Sequence, residues 1–469
     1  MTLTQIFIFA ALGLAAGRFY KRVSRSWLLF IASVLATFWL QPASAIRNLA
    51  FVLPTLSLGL AVLIWAITAP RENRFLLQDK LAAAALMAIA LFLSATRYVD
   101  PLCCLTAARP PQIELVALLV IALAAIGLLA YRFLRGQTFA LHSFTVFLLL
   151  ILAILKSEPL AQGVSVFLRN LTGQDPSLAS SLDFGWLGFS YISFRLVHVL
   201  RDRVAGRLSS IGLRDFVTYI VFFPALTAGP IERVERFVPQ LAPQFVLEWG
   251  ALLAAGKRLL AGLFMKFVLA DALAFFALNP VNVYQVNSTA WSWVLLVAYS
   301  FRIFFDFAGY THIAIGLGLL FGVPLPENFD RPYLKSNITG FWNSWHMTLA
   351  NWFRAYYFNP VTRYLRYRNL PVALIIAFGQ LTTMALIGLW HGITWNFLIW
   401  GLWHGVGLFV HNQWQQFAKT RQLIKHARLS QGLGALTTFA FVTLGWVWFA
   451  LPEPDDAARV LRILFAVGG

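Results

Sequence analysis

Residues 341–411 read FWNSWHMTLANWFRAYYFNPVTRYLRYRNLPVALIIAFGQLTTMALIGLWHGITWNFLIWGLWHGVGLFVH. Apolar runs at 371–389 and 393–411 flank or contain His391, His404 and His411, and His346 opens the shorter, more polar piece before them. Runs of about 20 apolar residues are long enough to cross a bilayer as helices. They lack the period-2 alternation of barrel strands. The stretch therefore predicts membrane helices that hold imidazoles among Trp, Phe, Leu and Gly. Keeping an ionisable side chain charged in such surroundings costs several kcal/mol, so at least one of the three histidines in the Trp-rich apolar segments is read as functional.

Outward from this stretch the pattern repeats. The 469-residue chain is 59% hydrophobic and 12% charged, against roughly 25% charged in soluble domains. The expected fold is an all-α integral membrane protein, a multi-pass helical bundle of about 11–13 spans with re-entrant or broken helices. The net charge of +18 does not indicate nucleic-acid binding. The Arg and Lys residues sit in short loops between spans, which is the positive-inside pattern beside anionic lipid. Cys103 and Cys104 are adjacent and form no disulfide framework or metal-ligand spacing. No metal site is expected.

In chain order, spans are predicted near 3–17, 27–43, 49–69, 81–97, 112–131 and 138–156. The first reads as a retained span rather than a cleaved signal. Basic loops at 18–25, 71–80 and 131–136 alternate with loops at 44–48, 98–111 and 157–183 that are poorer in Lys and Arg. This alternation places the N-terminus outside. Residues 1–182 are expected to act as scaffold within one membrane domain, 1–469, whose core is 183–450. Arg195 and His198 lie inside or at the end of a span near 183–203. In 213–237, Pro224, Gly229 and Pro230 interrupt an apolar run. Broken backbone at membrane depth survives only against protein or a wet cavity, so this segment reads as broken or re-entrant; a short interfacial helix is the alternative.

A span near 262–278 and a polar outer loop, 279–291, lead into a long helix from Trp291 to Phe321. Arg302 and Asp306 are four apart on it and able to pair; a neutralising ion pair and a catalytic role both remain open. After the polar loop 324–341, the segment 344–360 is too short and polar for a plain span, and a half-buried helix fits it. Spans near 371–389, 393–411 and 432–450 follow, then an amphipathic tail expected at the outer face.

The chemistry turns on the histidines. His391 is flanked by Gly388 and Gly392 and by Trp390 and Trp395. A neutral imidazole in an apolar site is a good general base for an alcohol, because its pKa lies near working pH. The alternative is a hydrogen-bonded histidine that joins helices. No Ser-His-Asp spacing, CxxC, HExxH or P-loop accompanies it. Asn343, three residues before His346, is placed to orient that imidazole. His404 follows His391 by 13 residues; on one straight helix, at about 100° per residue, the two would point apart. His404 and His411 share a face, with packing or a polar network as their role.

Four stretches resemble the membrane-bound O-acyltransferase family, and within it the alginate-type polysaccharide O-acetyltransferases, with teichoic-acid D-alanyl transferases as cousins. They are FFPALTAGPIER (222–233), FDFAGYTHIAIGLGLLFGVPLPENFDRPYL (305–334), FWNSWHMTLANWFRAYYFNP (341–360) and GLWHGITWNFLIWGLWHG (388–405). The resemblance implies that His391 is the intramembrane catalytic histidine and His346 its partner. His404 is a second, less decisive histidine. From the residues themselves, Asn343, Trp345, Trp390, Trp395, Asp306 and Arg354 are expected to be supporting or substrate-binding. The resemblance further implies a tunnel from the cytoplasmic face, an acyl thioester donor such as acetyl-CoA with no bound cofactor, a polysaccharide acceptor and a periplasmic partner protein, in a bacterial inner membrane. The chain departs from the pattern at Thr311-His312, where Ser-Asp is usual, and at Asn343-Ser344, where two arginines are usual. A lipid or teichoic-acid acyltransferase, or a glycan or lipid transporter, are the alternatives; the inverted repeats that would mark the last are not seen.

Overall fold

Long apolar runs become helices because lipid leaves the backbone no partner but itself. The computed structural model describes residues 1–19, 24–70, 75–99, 105–241, 245–421 and 427–466. Cys103 and Cys104, and the basic stretches 71–74 and 422–426, lie outside the described residues. The first helices are α1 (Leu3–Phe19), α2 (Arg25–Trp39), α3 (Leu49–Thr68), α4 (Leu77–Ala95), α5 (Ile113–Phe133) and α6 (Thr138–Lys156). Then come α7 (Glu158–Leu171), α8 (Phe189–Val204), α9 (Leu213–Val221), α10 (Val234–Phe237), α11 (Trp249–Phe264), α12 (Asp271–Ala274) and α13 (Thr289–Leu320). The chain ends with α14 (Ile338–Trp342), α15 (Met347–Phe353), α16 (Asn359–Arg366), α17 (Val372–His391), α18 (Trp395–Arg421), α19 (Ala427–Ala450) and α20 (Pro454–Leu464).

No β-strand occurs among the described residues, and the fold is all-α and multi-pass. By length and composition, seven helices there are long and apolar enough to cross a membrane, and shorter apolar helices cover Leu3–Gly17 and Arg25–Trp39. Hydroxyls inside these helices bond back to the preceding turn: Thr55 to the Phe51 carbonyl, Thr68 to Ile64, Thr383 to Gly379. This satisfies them without water. The stretch 157–183, expected as a loop, contains the 14-residue α7. Its buried Arg169 pairs with Asp183 at 2.8 Å, and Ser165 donates to the same carboxylate.

The helices divide into two compact units, Met1–Lys257 with Ala314–Leu325, and Arg258–Ile313 with Pro326–Gly469. In the first, the break expected in 213–237 is present: α9 ends at Val221, a short 3-10 turn covers Phe223–Ala225, and α10 starts at Val234. Arg195 of α8, only 2% exposed, spans the break. It donates to the carbonyls of Tyr219, Ile220 and Ala225 at 3.1, 2.8 and 3.0 Å. One guanidinium thus satisfies the carbonyls that the helix end orphans.

In the second unit, α17 and α18 form a hairpin joined by Gly392, Ile393 and Thr394. Glycine sets their spacing. A Cβ on Gly388 would stand 2.1 Å from the Phe397 carbonyl oxygen, and one on Gly401 would stand 2.3 Å from that of Met384. Small residues at such crossings let membrane helices approach backbone to backbone. Gly401→Ala is therefore expected to lower the thermal unfolding midpoint in detergent, by overpacking worth about 1–3 kcal/mol. Gly250→Ala, where a Cβ meets nothing within 4 Å, should leave the midpoint unchanged or raise it. Equal midpoints for the two variants would contradict this packing.

Two helices in this unit carry a π-helical segment, Met265–Ala270 between α11 and α12 and Arg354–Phe358 between α15 and α16. Such wide turns are rare and recur at functional sites. At the other end, α20 docks on the loop that precedes α13. The Tyr284 hydroxyl bonds Asp456, Arg459 donates to Asn287 at 2.7 Å, and Thr289 donates to the Ile463 carbonyl at 2.8 Å.

Candidate active site

The hairpin places His391 at the C-terminus of α17, where it is half-buried. Four aromatic rings surround it: Trp390 at 4.6 Å, Phe449 at 4.8 Å, Trp400 at 5.4 Å and Phe397 at 5.9 Å between ring centres. Gly388 and Gly392 flank the histidine as read from the sequence, and both accept close approach from Phe397.

His346 is the N-cap of α15 and is 3% exposed. Its ring meets Phe307 edge-on at 4.6 Å and Trp390 at 6.1 Å. The two imidazoles therefore share the Trp390 indole as a common wall. The His346 Nε2 is buried and has no hydrogen-bond partner among the described residues. A buried nitrogen of this kind is a group kept ready for a ligand or left at a cost.

The backbone at His346 is left-handed, φ 43° and ψ 51°. Asn328, fully buried, holds the next turn in place. Its Oδ1 accepts from the Thr348 amide at 3.2 Å and the Thr348 hydroxyl at 2.7 Å, and its carbonyl accepts from the Met347 amide at 3.0 Å. The Asp330 amide donates to the Ser344 carbonyl at 3.0 Å, and Phe329 and Trp345 form an isolated antiparallel bridge. Lys335, hydrogen-bonded to Asp330 at 2.8 Å, holds that carboxyl below its usual range. In the sequence Asn328 is marked only by the PENF run, 326–329, that contains it.

His404 is fully buried and its Nδ1 faces the Trp342 indole nitrogen at 3.4 Å. His391 and His404 both lie against Trp400, at 5.4 and 5.0 Å. They are not on one straight helix, the condition under which they would point apart, because the chain reverses between α17 and α18. Trp345 is 5% exposed and packs among Phe329, Tyr333, Phe341 and Trp446. Trp395, 71% exposed, starts α18 and is not part of the cage around His391.

Two polar contacts differ from those the sequence offered. Asp306 pairs with Lys266, at the start of the first π segment, and not with Arg302. Asn343 accepts from Arg354 at 2.5 Å, where it was expected to orient His346. Arg354 also donates to Asn351 at 3.2 Å, and it opens the second π segment. His312, which stands where a carboxylate is usual, lies 3.1 Å from Arg258, whose guanidinium also takes Glu327. Asp306, Asn343, Asn351 and Arg354 are all exposed, so the unit presents polar surface beside the apolar cage.

Two histidines thus meet on one tryptophan, within apolar walls, in a multi-pass helical membrane protein. The profile of the membrane-bound O-acyltransferase family matches residues 117–451, and the chain belongs to that family of O-acyltransferases. It is 35% identical over 262 residues to the peptidoglycan O-acetyltransferase of Helicobacter pylori, covering 54% of this chain and 47% of that one. It is 30% identical over 370 residues to the teichoic acid D-alanyltransferase of Streptococcus thermophilus, covering 74% and 84%. It is 32% identical over 289 residues to the probable alginate O-acetylase AlgI of Pseudomonas aeruginosa, covering 60% and 52%. The match thus spans about half the length of the Helicobacter and Pseudomonas relatives.

Proposed function

We propose that the protein is an O-acyltransferase of the bacterial inner membrane. It moves an acyl group, acetyl in the simplest case, from a cytosolic thioester such as acetyl-CoA to a hydroxyl of an exported or cell-envelope polysaccharide. His391 acts as general base on the acceptor hydroxyl. His346 positions or activates the donor thioester. The observation that carries this reading is the pair of imidazoles on the Trp390 ring, one of them with its Nε2 buried and unpartnered among the described residues. The polar rim, with Lys266, Asp306, Asn343 and Arg354, suits the charged and hydroxylated ends of donor and acceptor. A periplasmic partner protein completes delivery to the glycan.

D-alanyl transfer to teichoic acid is the second reading, favoured by the long match to the Streptococcus relative. Purified protein and native membranes, each offered labelled acetyl-CoA or a D-alanyl thioester carrier, separate the two. Consumption of acetyl-CoA that depends on His391 supports the first reading. Transfer from the D-alanyl carrier alone supports the second, and inertness to both overturns the thioester reading.

Asn328 enters this mechanism through the backbone it fixes. Asn328→Ala frees Thr348 and the turn that carries His346. Misplacement of a catalytic group by about 1 Å costs on the order of 100-fold in rate, so the alanine variant should lose about ten- to a hundredfold in kcat with little change in KM. Asn328→Asp retains an acceptor oxygen and should recover part of the rate. Full activity in the alanine variant would refute the positioning role.

A further inference from the structure

In the first unit, His198 and Asp202 sit one turn apart on α8, and Glu235 lies in the first turn of α10. The His198 Nε2 is 3.2 Å from the Asp202 Oδ2 and 3.4 Å from the Glu235 Oε2, and one ligand atom from each residue lies within 4.8 Å of the others. We propose that these three side chains form a divalent metal site, suited to Zn²⁺, that ties α8 to the chain returning from the helix break at 222–233.

The donor spacing carries the argument. Zinc binds imidazole nitrogen and carboxylate oxygen at about 2.0–2.2 Å with near-tetrahedral angles, which sets neighbouring donors about 3.4 Å apart. The two histidine–carboxylate separations already match. The i, i+4 pairing on one helix face is the spacing by which helices present two ligands to one ion. Charge also fits: two carboxylates and a neutral imidazole balance a divalent cation in a place where the His198 and Asp202 side chains are 0% and 3% exposed. Glu235 is 35% exposed, which leaves a route for entry and room for water as a fourth ligand. Arg207 holds the other Asp202 oxygen, Oδ1, at 2.8 Å. Such a second contact orients a ligating carboxylate. A mixed nitrogen and oxygen set of three suits zinc better than magnesium or calcium, which favour six or more oxygens.

The position suggests a structural role. The site joins the helix that bears Arg195 to the segment resuming after the break that Arg195 spans. The sequence led to no metal site being expected, because Glu235 lies 33 residues beyond Asp202 and only the fold brings it to His198. The competing occupant is a proton, which would make His198 an imidazolium shared between two carboxylates.

The test uses the full chain in detergent, stripped with a chelator and dialysed against ZnCl₂. Zinc per chain is measured by mass spectrometry, and the unfolding midpoint is measured with and without zinc. The expected result is one more tightly held zinc per chain in the parent than in His198→Ala or Glu235→Gln, and a zinc-dependent rise in midpoint that both variants lose. Glu235→Gln is isosteric and at the edge of the cluster, so it remains informative if His198→Ala misfolds. Equal zinc content in parent and Glu235→Gln, or a midpoint that does not respond to zinc, overturns the proposal in favour of the shared proton.

Discussion

A His391→Ala protein is expected to insert and fold as the parent does, yet to transfer acyl groups about 10²–10⁴-fold more slowly, the range lost when a positioned general base is removed. In barrier terms this is about 3–5 kcal/mol. The separation of activity from folding follows from the site. His391 ends α17 and is only half-buried, while the hairpin that carries it is held by the glycine contacts at 388 and 401. Removing the imidazole takes away a ring in the aromatic cage but leaves both helices packed. His391→Gln keeps hydrogen-bonding capacity without a titratable nitrogen and should be as slow as the alanine variant. His346→Ala should also lose transfer. Its loss should appear in the step that consumes the thioester, whereas His391→Ala should retain slow hydrolysis of the donor by water. Initial rates of acetyl-CoA consumption and of acceptor labelling, measured side by side, read the two steps separately. A His391→Gln protein with the parent's rate would remove the general base from the mechanism.

Arg195→Met is expected to be the most damaging change away from the histidines. The methionine fills much of the same volume but donates nothing, so the carbonyls of Tyr219, Ile220 and Ala225 lose their charged partner at once. An unpaired buried polar group costs about 1–3 kcal/mol, and hydrogen bonds to charged donors are at the strong end of the scale. The combined loss should be about 3 kcal/mol or more, enough to lower the unfolding midpoint sharply and to reduce the monodisperse fraction on size exclusion. Arg195→Lys retains the charge but not the fork, and should fall between the two. A methionine variant with the parent's midpoint would mean that the break at 222–233 is held by other contacts.

How much of this was legible in the sequence depends on the range of each interaction. Helices α2 to α6 begin and end within a few residues of the apolar runs, because burial in lipid is set by composition along the chain. The amphipathic α7 was hidden for the opposite reason: its polar face breaks the run. The broken segment at 213–237 was marked by its prolines and glycine, but nothing local named Arg195 as its clamp. The pairing of Asp306 went astray because periodicity offers Arg302, four residues away, and cannot see Lys266 on another helix. Periodicity could not bring His391 and His404 together, since the rule of about 100° per residue holds only within one helix. Both π segments escaped notice, because an extra residue in a turn leaves no mark in composition. Trp390 was visible as the neighbour of His391 in the chain, but not as a wall that His346 shares, and Asn328, whose contacts lie 19 and 20 residues away, was not marked at all.

The left-handed backbone at His346 sets strain against packing. Among the described residues the other non-glycine positions with positive φ are Asn48, Arg331, Asn369 and Ala466, and a residue with a Cβ gives up roughly 1–2 kcal/mol to sit there. Glycine would take the same turn at no steric cost. Glycine would, however, leave a cavity between Phe307 and Trp390, so the strain and the packing of the His346 ring oppose each other and selection for heat resistance alone gives no reason to keep this imidazole. Libraries built on this scaffold should hold codon 346 constant and score transfer alongside melting.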